Sequence, residues 1–225
     1  MNDEEKNYQW LKEYAESRGV SLFGVADFVK YDRALNLSKQ EIEGLSYAIS
    51  LGLRLSERVL DGIKDGPTDL YILHYNQANR ELDGIAFSLA DLIQKAGYHS
   101  LSIPASKTVD KEKQQAHLSH KHIGVLAGHG WIGKNNLLVN PKYGSQVRYV
   151  TILTDLPLLI DKTLEYNCGE CEACVMVCPA KALGKTPEDY DYIKCYQKLD
   201  MFYKEKNLDV HICGICVKAC KSRED

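Results

Sequence analysis

Apolar positions in the first two thirds of the chain switch repeatedly between helical and strand-like spacing. Residues 4–18 read as a helix: Asn2 or Asp3 can cap it, acids fill its first turn, and Gly19 suits its end. Residues 20–26 read as a short strand, and the apolar run LSYAISLGL within 44–53 as another. Pro67, Thr68 and Asp69 then open a long helix that ends near Gly97. Within it Ala78, Leu82, Ile85, Ala86, Leu89 and Ile93 recur at spacings of three and four, which makes one buried face. Residues 99–103 look strand-like and 114–127 helical. Residues 137–139 and 147–153 read as strands on either side of the turn 140–144. Strands alternating with helices predict an α/β (α+β) layer structure for the front of the chain.

That pattern gives way to a different one near its end. All eight cysteines lie between Cys168 and Cys220, and none precedes them. The shift places a boundary near residues 161–167, dividing the chain into an α/β domain at 1–161 and a small cysteine-rich domain at 162–225. A length of 225 residues suits one compact domain plus such an appendage. Hydrophobic content of 44% is enough for a core without staples. The net charge is −3 with no basic stripe, so nucleic acid is not an obvious partner. The opening MNDEEKNYQW is acidic and polar, unlike a secretory signal. The longest apolar stretch, 150–160, is broken by Thr151, Thr154, Asp155 and Pro157, whereas a membrane span needs about 20 mostly apolar residues. The expectation is a cytoplasmic protein with no membrane partner. Thiols stay reduced there, so eight cysteines call for metal before disulfides.

Their spacing points to the metal. Cys168, Cys171, Cys174 and Cys178, followed by Pro179, form the run C-x-x-C-x-x-C-x-x-x-C-P of bacterial ferredoxins. A cubane needs four thiolates at its iron corners. Two-residue gaps let one tight loop supply three, and the fourth comes from elsewhere in the chain. Pro179 fixes the backbone after Cys178. The second group, Cys213, Cys216 and Cys220, is one short, and Cys195, eighteen residues before Cys213, completes it. Crossing the fourth ligands gives one [4Fe–4S] set of Cys168, Cys171, Cys174 and Cys220. The other is Cys178, Cys195, Cys213 and Cys216, and the two together use every cysteine. A structural zinc on Cys171, Cys174, Cys213 and Cys216 is the alternative, but it strands four thiols.

Ahead of the cysteines, Gly128, Gly130 and Gly133 match G-x-G-x-x-G, and the same stretch nearly matches a phosphate loop. Both motifs need a strand before and a helix after. Here the order is reversed, and Asn135 stands where the phosphate loop needs a hydroxyl. A tight structural turn is the plain alternative. Trp131 and Lys134 among three glycines fit a backbone that approaches something closely, such as a planar cofactor. Trp131 read by itself is equally a core aromatic, and Lys134 a solvated charge.

The succession AGHGWIGKNNLLVNPKYGS, LTDLPL and CGECEACVMVCPAKAL resembles epoxyqueuosine reductases, a family related to the reductive dehalogenases. LKEYAESRGVSLFGVADF resembles the family's opening helix and strand. The resemblance implies a corrinoid-binding α/β domain followed by a two-cluster ferredoxin-like module. Electrons from the clusters would reduce cobalt to Co(I) for a two-electron reduction. It also implies cluster roles for all eight cysteines, with Gly130, Trp131, Gly133, Lys134, Asn136 and Ser145 near the corrinoid. Two departures stand out. The family carries an acid followed by Ser-Ala-Pro as proton donor. This chain has Ser102, Ile103, Pro104, Ala105 and Ser106 there, with Asp110 and Glu112 as the nearest acids. The sequence also stops five residues after Cys220, without the helical extension that helps larger relatives bind tRNA, so tRNA is not the expected substrate.

His117, His120 and His122 cluster before the glycine motif, and the first two would share a helix face. They read as polar helix surface. The alternatives are a metal site, or one of them or His129 acting as cobalt ligand or proton donor. Tyr143 and Tyr149 are further candidate proton donors. The leading expectation is a cobalamin-dependent iron–sulfur reductase of a small molecule, supplied by a ferredoxin or flavodoxin. Its rival is an electron-transfer or accessory protein that reduces a separate corrinoid protein. A front domain that binds flavin is a third.

Overall fold

In a computed structural model, the structure describes residues 2–110 and 115–221. In chain order the elements are α1 (Asp3–Ser17), β1 (Leu22–Asp27), α2 (Lys39–Ile42), β2 (Tyr47–Arg54), α3 (Glu57–Asp61), α4 (Asp69–Lys95) and β3 (Ser100–Ile103). There follow α5 (His120–Leu126), β4 (Trp131–Ile132), β5 (Leu138–Val139), β6 (Val147–Thr154), α6 (Ala173–Val177), α7 (Tyr192–Glu205) and α8 (Ile215–Ala219). The result is a mixed α/β protein. Its contacts define two compact units, each assembled from separate stretches of chain.

The first unit comprises Met1–Arg54, Ala78–His129 and Arg148–Leu164. Its sheet has the order β1-β2-β6-β3. β1 pairs antiparallel with β2 from Leu22↔Gly52 to Asp27↔Tyr47, and β3 pairs antiparallel with β6 from Ser100↔Thr154 to Ile103↔Thr151. The face read from the sequence on the long helix is the buried one: Leu82, Ile85, Leu89 and Ile93 are fully enclosed, with Ile49, Leu51, Val150 and Ile152 of the sheet in the same cluster. α1 adds Leu11 and Ala15. Its start is fixed by a capping box, with Asn2 Oδ1 accepting from Glu5 N at 2.8 Å and Glu5 Oε2 from Asn2 N at 3.1 Å. A smaller cluster gathers Phe28, Leu45, Ile103, Leu118, Ile123 and Leu153. Asp161 ties the end of this unit to its sheet, accepting from Val25 N at 2.8 Å and from the Tyr8 hydroxyl at 3.0 Å.

The second unit comprises Leu55–Gln77, Gly130–Val147 and Glu165–Asp225. Packing therefore divides the chain differently from composition. Residues 55–77 and 130–147 contain no cysteine, yet they pack with the cysteine-rich part, bringing buried Leu55, Leu60, Ile63, Tyr71 and Leu138 with them and held also by polar stitches. Lys206 Nζ donates to Pro67 O at 3.0 Å, Lys218 Nζ to Asp61 O at 3.1 Å, and Gln146 Nε2 to Lys218 O at 3.1 Å. Gly66 lies against the Phe202 ring, leaving no room for a Cβ. The expected turn at 140–144 is built on Asn140, whose side chain accepts from Lys142 N at 3.0 Å and Tyr143 N at 3.1 Å. It ends on Gly144, whose φ of +58° and contact with the Cys220 carbonyl both demand glycine. The expected helix over 114–127 is shorter. It starts at His120, after Asp110 and Gln115 pair as an isolated bridge. Residue 114 and the candidate acid Glu112 lie outside the described residues.

Candidate functional site

Three cysteines reach their places through one loop and the short helix after it. Cys171 N donates to Cys168 O at 3.1 Å, Gly169 turns with φ +49°, and α6 carries the buried Cys174. With Cys220, which follows α8, they line a cavity of about 170 Å³ that also has Lys134 and Asn135 in its wall. A water needs about 10–15 Å³ on that measure, so the space suits a bulky group better than one ion. The other four cysteines also keep company. Cys213 lies within electrostatic reach of Cys195 and Cys178, and Cys216 of Cys213, Cys195, Cys174 and Cys178. The structure thus lines one cavity with Cys168, Cys171, Cys174 and Cys220, and holds Cys178, Cys195, Cys213 and Cys216 near one another, with Cys216 also within reach of Cys174. None is in a disulfide. Among the described residues no three His, Cys, Asp or Glu side chains converge as a single ion would require. Burial, reinforced by neighbouring thiolate charge, pushes the Cys174 thiol up to about 11. Burial also raises Cys213 to about 11, and raises Cys216. Burial likewise raises Cys195 and Cys220, and thiols that resist ionising next to one another suit a cationic iron core, which reverses that penalty. The donor set therefore fits iron–sulfur clusters.

The glycine motif packs against the first cysteine group. β4 and β5 form a hairpin with Trp131 opposite Val139. Gly130 has φ +155° and its missing Cβ leaves room for the Val139 carbonyl. Trp131 is buried, and its Nε1–H donates to Cys168 Sγ at 3.4 Å. A Cβ on Gly133 would sit 3.4 Å from the same sulfur. Lys134 is neither solvated nor remote: it is buried and its ammonium donates to Gly169 O at 2.9 Å, in the cysteine loop. Asn136 takes a left-handed conformation, φ +57°, in the turn of the hairpin. Ser145 is buried, accepts from Asn135 Nδ2 at 3.0 Å, and hydrogen-bonds the Cys220 thiol through its side chain, while its N–H reaches Cys220 O at 3.3 Å. Sequence reasoning missed two members of this shell. Asn135 had figured only as the wrong residue for a phosphate loop, and Tyr190 hydrogen-bonds Cys195 with no local motif to announce it.

The first unit holds a separate set of buried polar groups. His129 Nε2 donates to Ser50 O at 3.0 Å, and its ring stacks on Tyr149 at 5.8 Å. Burial lowers the His129 pKa to about 4 and raises that of Tyr149. The hydroxyls of Ser50 and Tyr149 are buried with no hydrogen-bond partner. Such atoms are costly unless a further polar group meets them. They fit a ligand with an amide-bearing rim, as a corrinoid has. The other histidines do not meet at one point. His120 holds Thr151 Oγ1 at 2.8 Å and Pro104 O at 2.9 Å, while His122 holds Ser119 Oγ at 2.7 Å. An acid does reach the stretch Ser102 to Ser106 in space: Asp83 of α4 accepts from Ala105 N at 2.7 Å. The helix delivers it from more than twenty residues away. Tyr143 lies in the second unit, where its N–H serves the Asn140 turn.

No family model matches the sequence. It is 40% identical over 80 residues to the epoxyqueuosine reductase of Leadbetterella byssophila, covering 36% of this chain and 26% of that protein. With the enzyme of Bacillus cereus it shares 33% over 140 residues, 59% of this chain and 37% of that one. The chain thus spans about a quarter to a third of the length of these curated relatives. In fold it matches a reductive dehalogenase whose structure is described in terms of B12-dependent dehalogenation, with TM-score 0.75, 19% identity, 97% of this chain and 32% of that one. The epoxyqueuosine reductase of Streptococcus thermophilus matches with TM-score 0.63 and 19% identity, over 96% and 68% of the two chains. A third match, TM-score 0.62 and 20% identity over 85% and 56%, is an epoxyqueuosine reductase holding an epoxyqueuosine-modified tRNA stem loop. Among the described residues no helix is long and apolar enough to cross a membrane. By sequence the chain is a relative of the epoxyqueuosine reductases, and it shares its fold with them and with the reductive dehalogenases.

Proposed function

We propose that the chain is an iron–sulfur reductase of the corrinoid type. The observation that supports this reading is the cavity lined by Cys168, Cys171, Cys174 and Cys220, with the other four cysteines near one another, in a chain related to epoxyqueuosine reductases. Cys168, Cys171, Cys174 and Cys220 would hold one [4Fe–4S] cluster, and Cys178, Cys195, Cys213 and Cys216 the other. When bound, the clusters would supply single electrons and a corrinoid a strongly reducing cobalt centre. The chain's own residues set the conditions. The Trp131 N–H on Cys168 and the Ser145 hydroxyl on Cys220 withdraw charge from two ligand sulfurs, and the buried ammonium of Lys134 places a cation beside the same group. Each of these favours the reduced, more negative state. Val139 and Ala173 put apolar side chains in the wall of the cavity. The buried hydroxyls of Ser50 and Tyr149 would offer polar atoms to a corrinoid in the first unit.

The substrate class is open between a small molecule and tRNA. A relative that holds a modified tRNA stem loop keeps tRNA among the candidates, despite the net charge of −3. The test is to reconstitute the chain anaerobically with iron and sulfide and titrate it with cobalamin. Saturable binding with a base-off spectrum is expected. Reconstituted protein that leaves the cobalamin spectrum unchanged at saturation contradicts the corrinoid part of the proposal.

A further inference from the structure

The cysteine-bearing unit has a surface that cluster binding does not use. A cavity of about 470 Å³ opens beside α6 and α8. Ile63 and Ile215, both buried, form its floor, and Val177 and Pro179 one wall. Lys64 and Lys218 stand on its rim, where Asp65 is the one acid among the lining residues. Lys218 is held in place by carbonyls of Asp61 and Ile63, at 3.1 and 2.6 Å, while Lys64 is exposed. Beside the cavity Met176 is 83% and Val177 44% exposed. Both lie in the chain between Cys174, of one cysteine group, and Cys178, of the other, so a partner seated here sits beside the loop that carries both.

Apolar side chains this exposed, next to a hollow with a cationic rim, are the composition of a contact surface. Flexible, polarisable methionine suits a transient partner. The local positive charge on a chain of net charge −3 selects for an acidic one. We infer that this surface docks a small acidic redox protein that supplies the electrons; the inference rests on reading the cysteines as cluster ligands. In each encounter the donor's reduced centre loses one electron and an oxidised cluster in this chain gains it. No bond forms or breaks and no proton moves.

The test uses the full-length, cluster-loaded chain, mixed anaerobically with a reduced acidic ferredoxin while cluster bleaching is followed by stopped flow. Lys64→Glu and Met176→Glu are each expected to lower the second-order rate about tenfold at low ionic strength, and added salt to slow the unaltered chain. Photoreduced deazaflavin, which needs no docking surface, is expected to bleach all three proteins alike. Equal ferredoxin rates for the three, with normal deazaflavin bleaching, overturn the docking surface alone. Protein that deazaflavin cannot bleach holds no clusters, and the proposal then falls with the reading beneath it.

Discussion

The two compact units are stabilised by different physics. In the first, the interior is apolar and continuous: Leu11, Leu82, Ile85, Leu89 and Ile152 are fully buried in one cluster. Each such side chain contributes about 1.5–3 kcal/mol on burial. Among the described residues the second unit contributes nothing to either apolar cluster. Its stretches are joined by lysine, glutamine and asparagine side chains on backbone carbonyls and amides, and it leaves Met176, Val177 and Ile193 exposed. It has an apolar interior of its own, with Leu55, Leu60, Ile63, Tyr71 and Phe202 buried, but a small unit still gains from staples, and cysteines around a cavity are the staple it has. One unit should therefore keep its structure without metal, and the other should not.

The largest effect should come from removing iron. Chelation, or Cys216→Ser, should cost amides of residues 165–221 about a hundredfold or more of their hydrogen-exchange protection, while those of β2 and β6 keep theirs. A uniform loss across both units would erase the contrast. The opposite perturbation is Leu82→Ala, which opens a cavity in the first unit. It should lower that unit's stability by about 2–5 kcal/mol in denaturant titrations and leave iron content per folded chain unchanged. A smaller effect sharpens the comparison through pH. Burial holds His129 at about 4, below its ordinary 6.5, so between those values the unfolded chain binds the extra proton. Its contribution to stability is full above about pH 6.5 and is lost as pH falls through about 4. His129→Gln should flatten the fall in thermal midpoint between pH 7 and pH 5, and an unchanged slope would remove His129 as its source.

The legible parts of this molecule were those whose chemistry repeats along the chain. The three-and-four spacing of Leu82, Ile85, Leu89 and Ile93 located the buried helix face. The cavity-lining run of Cys168, Cys171 and Cys174 was readable because its two-residue gaps are the spacing of a ferredoxin loop. The hairpin of Trp131–Ile132 with Leu138–Val139 was not, since two-residue strands are too short for alternation to register. Lys134 could be read as a solvated charge because its partner, the Gly169 carbonyl, lies 35 residues away and leaves no mark on neighbouring sequence. Asp83 escaped for the same reason: a helix delivers it to the Ser102–Ser106 stretch from a distance no motif spans. Composition also hid the recruitment of residues 55–77 and 130–147 into the cysteine unit, because side-chain-to-backbone stitches carry no periodic pattern.

Metal analysis of anaerobically purified protein, combined with electron paramagnetic resonance of the reduced sample, goes most directly to the iron–sulfur assignment. Two cubanes predict a brown protein with about eight irons and eight sulfides per chain, and reduced-cluster signals that diminish in Cys174→Ser. A colourless protein carrying stoichiometric zinc, or thiols recovered as disulfides, would contradict it.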